Sequence, residues 1–262
     1  MTSNQLLDEF VDFSNRLRDS LAKRSEVIGL VLVGSTADLA RVDEWSDHDF
    51  FVVTKNQTAE SLRKDLSWLP DFDAIAMHPR ETAHGLKVVY GNGKVLEFAV
   101  FDDSELEQAG ANAYNVTLDQ ADIAKRMAAI ANRSKPKAYD FDTEFEIFLT
   151  QLLIGIGRAR RGETLIAGQF VRSYCLNRVL GFMRAWVKPL PGTEPKEDNL
   201  DRFRRFEQQY PELGAEIESI LQQPVEAAGK HLLSLVLRVG EDKLSAQQLS
   251  KVRIVRERFG WI

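Results

Sequence analysis

The stretch that most constrains the fold joins two apolar runs early in the chain. The first run, VIGLVLV, ends at Val33 and is followed by GSTADLARVDEWSDHDFFVVT, which ends on the second run. A short run of apolar, mostly branched side chains is typical of a buried strand, so we predict strands over 27–33 and 49–54. The connection between them begins with Gly34-Ser35 and ends with Asp47 and Asp49.

The two aspartates are separated by one residue at the mouth of the second strand. Alternate side chains of an extended strand share a face, so Asp47 and Asp49 point the same way as two like charges. That arrangement is unfavourable unless a cation lies between the carboxylates. We therefore predict a divalent metal site, and the alternative is an ordinary solvated strand entry.

A third acid, Glu97, interrupts the apolar run KVLEFAVF, which follows the hairpin sequence Gly91-Asn92-Gly93. A charge in such a run is costly unless it is paired, hydrated or bound to metal. We favour a metal-binding or catalytic role for Glu97. The alternative is an edge strand on which Glu97 faces water and pairs with Lys87 or Lys94.

The Gly34-Ser35 pair has the chemistry of a phosphate contact. Glycine lets the backbone approach a phosphate closely, and serine can donate its hydroxyl and its amide. An ordinary turn at the end of the strand is the simpler explanation for the pair taken alone.

The remaining patterns divide the chain in two. Strands predicted over 73–78, 86–90 and 94–101, with helices over 4–24 and 57–69, indicate a mixed sheet flanked by helices. The polar segment 132–140 is typical of a linker. Beyond it we predict helices only, over 141–161, 165–187, 200–209, 211–223, 225–239 and 245–258. The expected fold class is α/β (α+β), with a sheet domain at 1–131 and a helical bundle at 140–262.

Composition excludes several classes of protein. A net charge of −5 argues against a dedicated nucleic-acid binder. The single cysteine, Cys175, rules out an intrachain disulfide and a multi-cysteine zinc site. No apolar run has the length of a membrane span, and MTSNQLLDEF shows no signal-peptide pattern, so we expect a cytoplasmic protein without a membrane partner.

Taken together, Gly34-Ser35, Asp47-x-Asp49 and the later Glu97 resemble the nucleotidyltransferase superfamily that shares its core with DNA polymerase beta. The helices around LLIGIGRARRGETLIAGQFVRSYCLNRVLGFMR resemble those of lincosamide and aminoglycoside adenylyltransferases. The resemblance implies that Asp47, Asp49 and Glu97 form the catalytic metal site for one or two Mg²⁺ ions. It also implies that Gly34 and Ser35 hold the triphosphate of ATP or another nucleoside triphosphate, and that Glu97 is a ligand or the base.

The function implied by the resemblance is transfer of a nucleoside monophosphate, AMP from ATP, to a hydroxyl of a small molecule. A lincosamide- or aminoglycoside-type antibiotic is the expected acceptor, and the protein is expected to be a monomer or homodimer. Two alternatives stay open. The fold can act on a protein or RNA acceptor, or it can serve as a non-catalytic nucleotide-binding or antitoxin-like module.

Overall fold

The computed structural model describes residues 3–133, 139–193, 201 and 203–261. It divides into two compact units, Met1–Lys135 and Pro136–Ile262. Residues 134–138 of the predicted linker over 132–140 lie outside the described residues, as do residues 194–200 and 202. The predicted domain bounds 1–131 and 140–262 therefore stay a prediction.

The first unit is built on a six-stranded sheet. The strands are β1 (Val27–Val33), β2 (His48–Thr54), β3 (Ile75–Met77), β4 (Gly85–Tyr90), β5 (Val95–Asp102) and β6 (Tyr114–Asp119). The α-helices of this unit are α1 (Ser3–Leu21), α2 (Ala59–Lys64) and α3 (Ile123–Arg133), with 3₁₀ helices at Leu39–Arg41, Phe72–Ala74 and Asp103–Gln108. A mixed sheet with flanking helices confirms the α+β fold class.

The sheet order is β3-β4-β5-β2-β1-β6, which makes β2 and β5 the central neighbours. These two strands pair in parallel, and the other neighbouring pairs of described strands are antiparallel. The topology therefore places the strand that follows the two aspartates directly beside the strand that carries Glu97.

Each face of the sheet has its own apolar core, because successive strand residues point to opposite faces. Helix α1 covers one face, whose core includes Phe13, Leu17, Phe50, Trp68 and Phe98. Helix α3 covers the other face, whose core includes Val31, Val53, Phe101, Ile123 and Met127. The alternation places Asp49 and Glu97 on the α3 side of the sheet, at the ends of β2 and β5 where the apolar core stops.

Three elements of the first unit differ from the sequence prediction. Strand β6 was not predicted, because its sequence, YNVTLD, mixes polar and apolar residues. Helix α3 was not predicted either. Helix α2 is shorter than the predicted 57–69. It begins after Gln57, whose left-handed φ of 68° breaks the helix, and it ends at the extended Asp65.

The second unit is helical. Its α-helices are α4 (Phe141–Arg160), α5 (Thr164–Gln169), α6 (Leu176–Trp186), α7 (Phe206–Gln209), α8 (Pro211–Leu221), α9 (Val225–Val239) and α10 (Ala246–Phe259). They enclose a core that contains Phe145, Phe148, Phe182, Leu232 and Cys175. No helix among the described residues combines the length and the apolar character that a membrane crossing requires.

Two helices of this unit depart from the prediction. The helix predicted over 165–187 is interrupted by a π-helical turn at Phe170–Cys175. That turn packs on Gly155 of α4, where an added Cβ would lie 2.7 Å from Phe170 Cβ. The helix predicted over 200–209 is confined, in the described part, to Phe206–Gln209.

Candidate functional site

The structure brings the three predicted acids together. Asp49 and Glu97 are Cα partners in the parallel β2–β5 pair, and Asp47 lies immediately before β2. One carboxylate oxygen from each of the three residues lies within 4.8 Å of the other two. Mg²⁺ binds carboxylate oxygen at about 2.1 Å, so small side-chain movements are enough for one ion to reach all three.

Glu97 is also the residue for which the sequence left an alternative open. Its side chain is 51% exposed, and its Oε2 lies 3.7 Å from Nζ of Lys87. Strand β5 is internal, so the edge-strand interpretation is wrong, whereas the predicted contact with Lys87 is present. An exposed ion pair of this kind adds little stability, and it leaves Glu97 available to a metal ion.

Lys87 places a positive charge beside the acids. Its Nζ hydrogen-bonds Glu81 at 3.0 Å as well as approaching Glu97. The hydrogen bond to Glu81, followed by the charge of Glu97, raises the pKa of Lys87 above its ordinary value. Lys87 is therefore a cation at neutral pH, and it competes with a metal ion for the carboxylate of Glu97.

Gly34 lies directly against Asp49. Its φ is +60°, in the left-handed region that favours glycine. A Cβ added to Gly34 would lie 2.5 Å from Oδ2 of Asp49. Two features therefore require glycine at this position. The turn after β1 needs a left-handed residue, and a side chain here would collide with the Asp49 carboxylate.

A hydrogen bond from β2 to this turn fixes the position of Asp49. The Asp49 amide donates to the hydroxyl of Thr36 at 2.8 Å. Thr36 and Ser35 are both buried in the turn over 34–37. Thr36 was not among the predicted site residues, although it directly follows the Gly-Ser pair in the sequence. The assignment of Ser35 and Gly34 to a triphosphate stays a prediction.

His48 lies between the two aspartates but points to the opposite face. Its ring stacks on Phe10 with centroids 3.6 Å apart, and Nε2 lies 3.3 Å from the Phe10 carbonyl oxygen. Burial, followed by the charge of Lys94, lowers the pKa of His48 to about 3. His48 is therefore a neutral packing residue that anchors the start of β2 to α1.

The arrangement as a whole fits a hard divalent cation. The three ligand atoms are carboxylate oxygens, which Mg²⁺ prefers, and the donor set leaves positions for substrate phosphate and water. No other group of three or more His, Cys, Asp or Glu side chains within the described residues has this mutual spacing. The site has the chemistry to bind a metal ion together with a phosphorylated ligand.

Comparison with known proteins adds structural likenesses. No protein-family model and no curated protein sequence matches the chain. Among solved structures, an aminoglycoside 6-adenyltransferase from Bacillus subtilis is similar with 16% identity, 99% coverage of both chains and a TM-score of 0.38. A nucleotidyltransferase-like protein from Exiguobacterium sibiricum has 14% identity, covers 88% of this chain and 77% of its own, and gives a TM-score of 0.36.

A third likeness is to the CD-NTase CdnG from Bradyrhizobium diazoefficiens in complex with GTP. It has 16% identity, 96% coverage of this chain and 92% of its own, and a TM-score of 0.32. All three TM-scores lie below 0.5.

Proposed function

We propose that this protein is a Mg²⁺-dependent nucleotidyltransferase that transfers AMP from ATP, or the monophosphate of another nucleoside triphosphate, to a hydroxyl of a small molecule. The observation that carries the proposal is the meeting of Asp47, Asp49 and Glu97 within 4.8 Å across two parallel strands. The position of Gly34 against Asp49 supports it, because a glycine without a Cβ leaves room for the Asp49 carboxylate next to the turn that contains Ser35.

In this proposal Asp47, Asp49 and Glu97 hold one or two metal ions. Bound Mg²⁺ neutralises charge on the triphosphate and stabilises the entering and leaving oxygens. Gly34 and Ser35 contact the phosphates, so that the α-phosphorus faces the acceptor. The acceptor oxygen forms the new bond to the α-phosphorus, and the bond to pyrophosphate breaks. Glu97 reaches solvent, so a carboxylate oxygen of Glu97 that does not bind metal is suited to take the proton of the acceptor hydroxyl.

The acceptor class rests on the sequence resemblance. We propose a lincosamide- or aminoglycoside-type antibiotic, and the net charge of −5 is compatible with a cationic substrate. The catalytic domain of this proposal is residues 1–131, and the helical domain is residues 140–262. The proposed enzyme works in the cytoplasm as a monomer or homodimer.

The experiment is a transfer assay with a broad acceptor panel. The protein is incubated with ATP, Mg²⁺ and a set of lincosamides and aminoglycosides, and mass spectrometry looks for the added AMP. Asp49→Asn is the control, because it keeps the size of the side chain and removes its charge. Product that depends on Asp49 supports the proposal, whereas no product with any acceptor excludes the antibiotic assignment.

One observation favours a second candidate, a non-catalytic nucleotide-binding module. Glu97 forms an exposed ion pair with Lys87, as an ordinary surface acid does. Calorimetry separates the two candidates. ATP binding that is unaffected by Mg²⁺ and by Asp49→Asn favours the module, whereas Mg²⁺-dependent binding favours the enzyme.

A further inference from the structure

The connection between β1 and β2 exposes an aromatic side chain beside the acids. Trp45 is 86% exposed and lies two residues before Asp47. The chain has four tryptophans; of the other three, Trp68 and Trp261 are buried and Trp186 is partly buried. Leu39, in the same connection, is 45% exposed, so the approach to the acids carries apolar surface as well as charge.

A network of hydrogen bonds holds the backbone beneath Trp45. The Asp43 carboxylate accepts from the Trp45 amide at 2.9 Å and from the Ser46 hydroxyl at 3.1 Å. The Ser46 hydroxyl in turn accepts from the Asp43 amide at 2.9 Å. None of these bonds uses the indole ring. The turn therefore presents Trp45 on a defined backbone while the ring stays free to contact a ligand.

Trp45 leaves most of its apolar surface in contact with water. A packed tryptophan buries more apolar surface than almost any other side chain, and Trp45 does not contribute this stabilisation to the fold. Exposed aromatic rings beside a charged site are the surfaces on which planar ligands stack. Trp45 has this combination, because it is exposed and lies two residues before Asp47.

Trp45 is close to the acids along the chain. Two residues of extended chain span at most about 7 Å, so the Cα of Trp45 lies within that distance of the Cα of Asp47. A nucleobase is joined to its α-phosphate through one ribose, so a base whose phosphates lie on the acids stays close to this part of the connection. The ring of Trp45 is therefore within reach of the base when the phosphates lie on the acids.

We propose that Trp45 is the stacking platform for the nucleobase of the bound triphosphate, an inference that rests on the proposed function of the acids. Stacking on an aromatic ring is available to every base, because every base has a π-face. This contact therefore strengthens binding of nucleotides in general, and it contributes little discrimination between purines and pyrimidines.

The test compares ATP with inorganic tripolyphosphate, which has the phosphates but no base. Calorimetry in Mg²⁺ measures both ligands on the wild type, Trp45→Ala and Trp45→Phe. Loss of the ring should weaken ATP binding about 5- to 150-fold and leave tripolyphosphate affinity unchanged. Trp45→Phe should recover most of the lost affinity. Leu165→Ala, at another highly exposed apolar position, is the control and should change neither ligand.

Fluorescence provides a second readout. Emission from the exposed Trp45 should be quenched by bound ATP in the wild type, and this quenching should be lost in Trp45→Phe. Equal ATP affinity in Trp45→Ala and wild type would contradict the stacking proposal. If Asp49→Asn loses the binding of both ligands in the same experiment, the proposed function is still supported. A change in acceptor KM without a change in ATP affinity overturns the stacking proposal as well. A wild type that binds neither ligand contradicts the proposed function itself.

Discussion

Asp49 and Glu97 are directly opposite each other across the parallel pair of β2 and β5. Neighbouring strands lie about 4.8 Å apart, so side chains at partner positions on one face can bind the same ion. A slip of one residue in this pairing would move Glu97 to the opposite face. The buried neighbours Phe50 and Phe98, which are also register partners and stack at 4.8 Å, oppose such a slip. The apolar core therefore fixes the geometry of the acids.

Gly34→Ala should reduce activity more than its effect on folding alone explains. The substitution forces an alanine into the left-handed region, at a cost of about 1–2 kcal/mol, and its Cβ collides with the Asp49 carboxylate. We expect weaker Mg²⁺ binding and lower transfer, measured by calorimetry and by the AMP-transfer assay.

The matched control for this substitution is Gly93→Ala in the β4–β5 hairpin. Gly93 also has a left-handed φ, of +85°, but nothing lies within 4 Å of its added Cβ. Gly93→Ala also places an alanine in the left-handed region, so it should lower the free energy of unfolding by a similar amount. It should not change metal affinity. If both variants bind Mg²⁺ equally well, the contact of Gly34 with Asp49 has no role in the site.

Lys87→Met should strengthen metal binding. Removing a cation that lies 3.7 Å from Glu97 removes a competitor for the carboxylate. The attraction between two exposed charges this far apart is weak in water, so the gain in Mg²⁺ affinity should be a few-fold at most, roughly up to fivefold, and it should shrink at high salt. Lys64→Met is the control, because Lys64 forms a comparable exposed pair with Glu60. Unchanged or weaker binding in Lys87→Met would show that Lys87 does not oppose the metal.

Thr36→Val should disturb the site through the backbone of Asp49. The variant keeps the shape of the buried threonine and removes the acceptor of the Asp49 amide. Leaving that amide without its partner costs about 1–3 kcal/mol of the free energy of unfolding. Thr36→Ser, which restores the hydroxyl, should recover metal affinity in calorimetry. Full metal affinity in Thr36→Val would mean that this hydrogen bond does not position the acid.

His48 should make the protein less stable in mild acid. The pKa of His48 is about 3 in the folded protein and about 6.5 in the unfolded chain. Between these values the unfolded chain binds more protons, so stability falls as the pH falls. The loss from His48 should reach about 2 kcal/mol between pH 6.5 and 5, measured by urea unfolding.

The comparison variant is His48→Phe, which keeps an aromatic ring against Phe10 and cannot take up a proton. Its free energy of unfolding should depend less on pH over the same interval. Identical pH dependence in the two proteins would contradict a buried neutral His48.

The sequence predicted the residues that meet at the site but not all of their supports. Strands over 27–33 and near 49–54 were predictable because their apolar runs are continuous, and the strand near 94–101 was predictable because only Glu97 interrupts an apolar run that follows a hairpin sequence. The pairing of β2 with β5 was not, since β3 and β4 separate the two strands along the chain and only tertiary packing selects the partner. Strand β6 was missed because polar residues interrupt it.

The contacts that position Asp49 could not be predicted from the sequence either, because they depend on the three-dimensional structure. The distance between Gly34 and the Asp49 carboxylate depends on the conformation of the turn over 34–37 and on the pairing register of β1 with β2. The spacing of residues along the sequence predicts neither. The hydrogen bond from Asp49 to Thr36 depends on the same turn. By contrast, strand alternation alone is enough to place His48 on the face opposite the two aspartates, where it contacts Phe10.

The most direct test of the central claim is a Mn²⁺ titration, with Mn²⁺ as a paramagnetic substitute for Mg²⁺, monitored by electron paramagnetic resonance. Wild type, Asp49→Asn and Glu97→Gln are compared with Glu81→Gln, which changes an acid near Lys87 outside the triad. We predict that wild type and Glu81→Gln bind Mn²⁺, and that each triad variant loses at least about tenfold in affinity. Equal Mn²⁺ affinity in all four proteins would contradict a metal site formed by Asp47, Asp49 and Glu97.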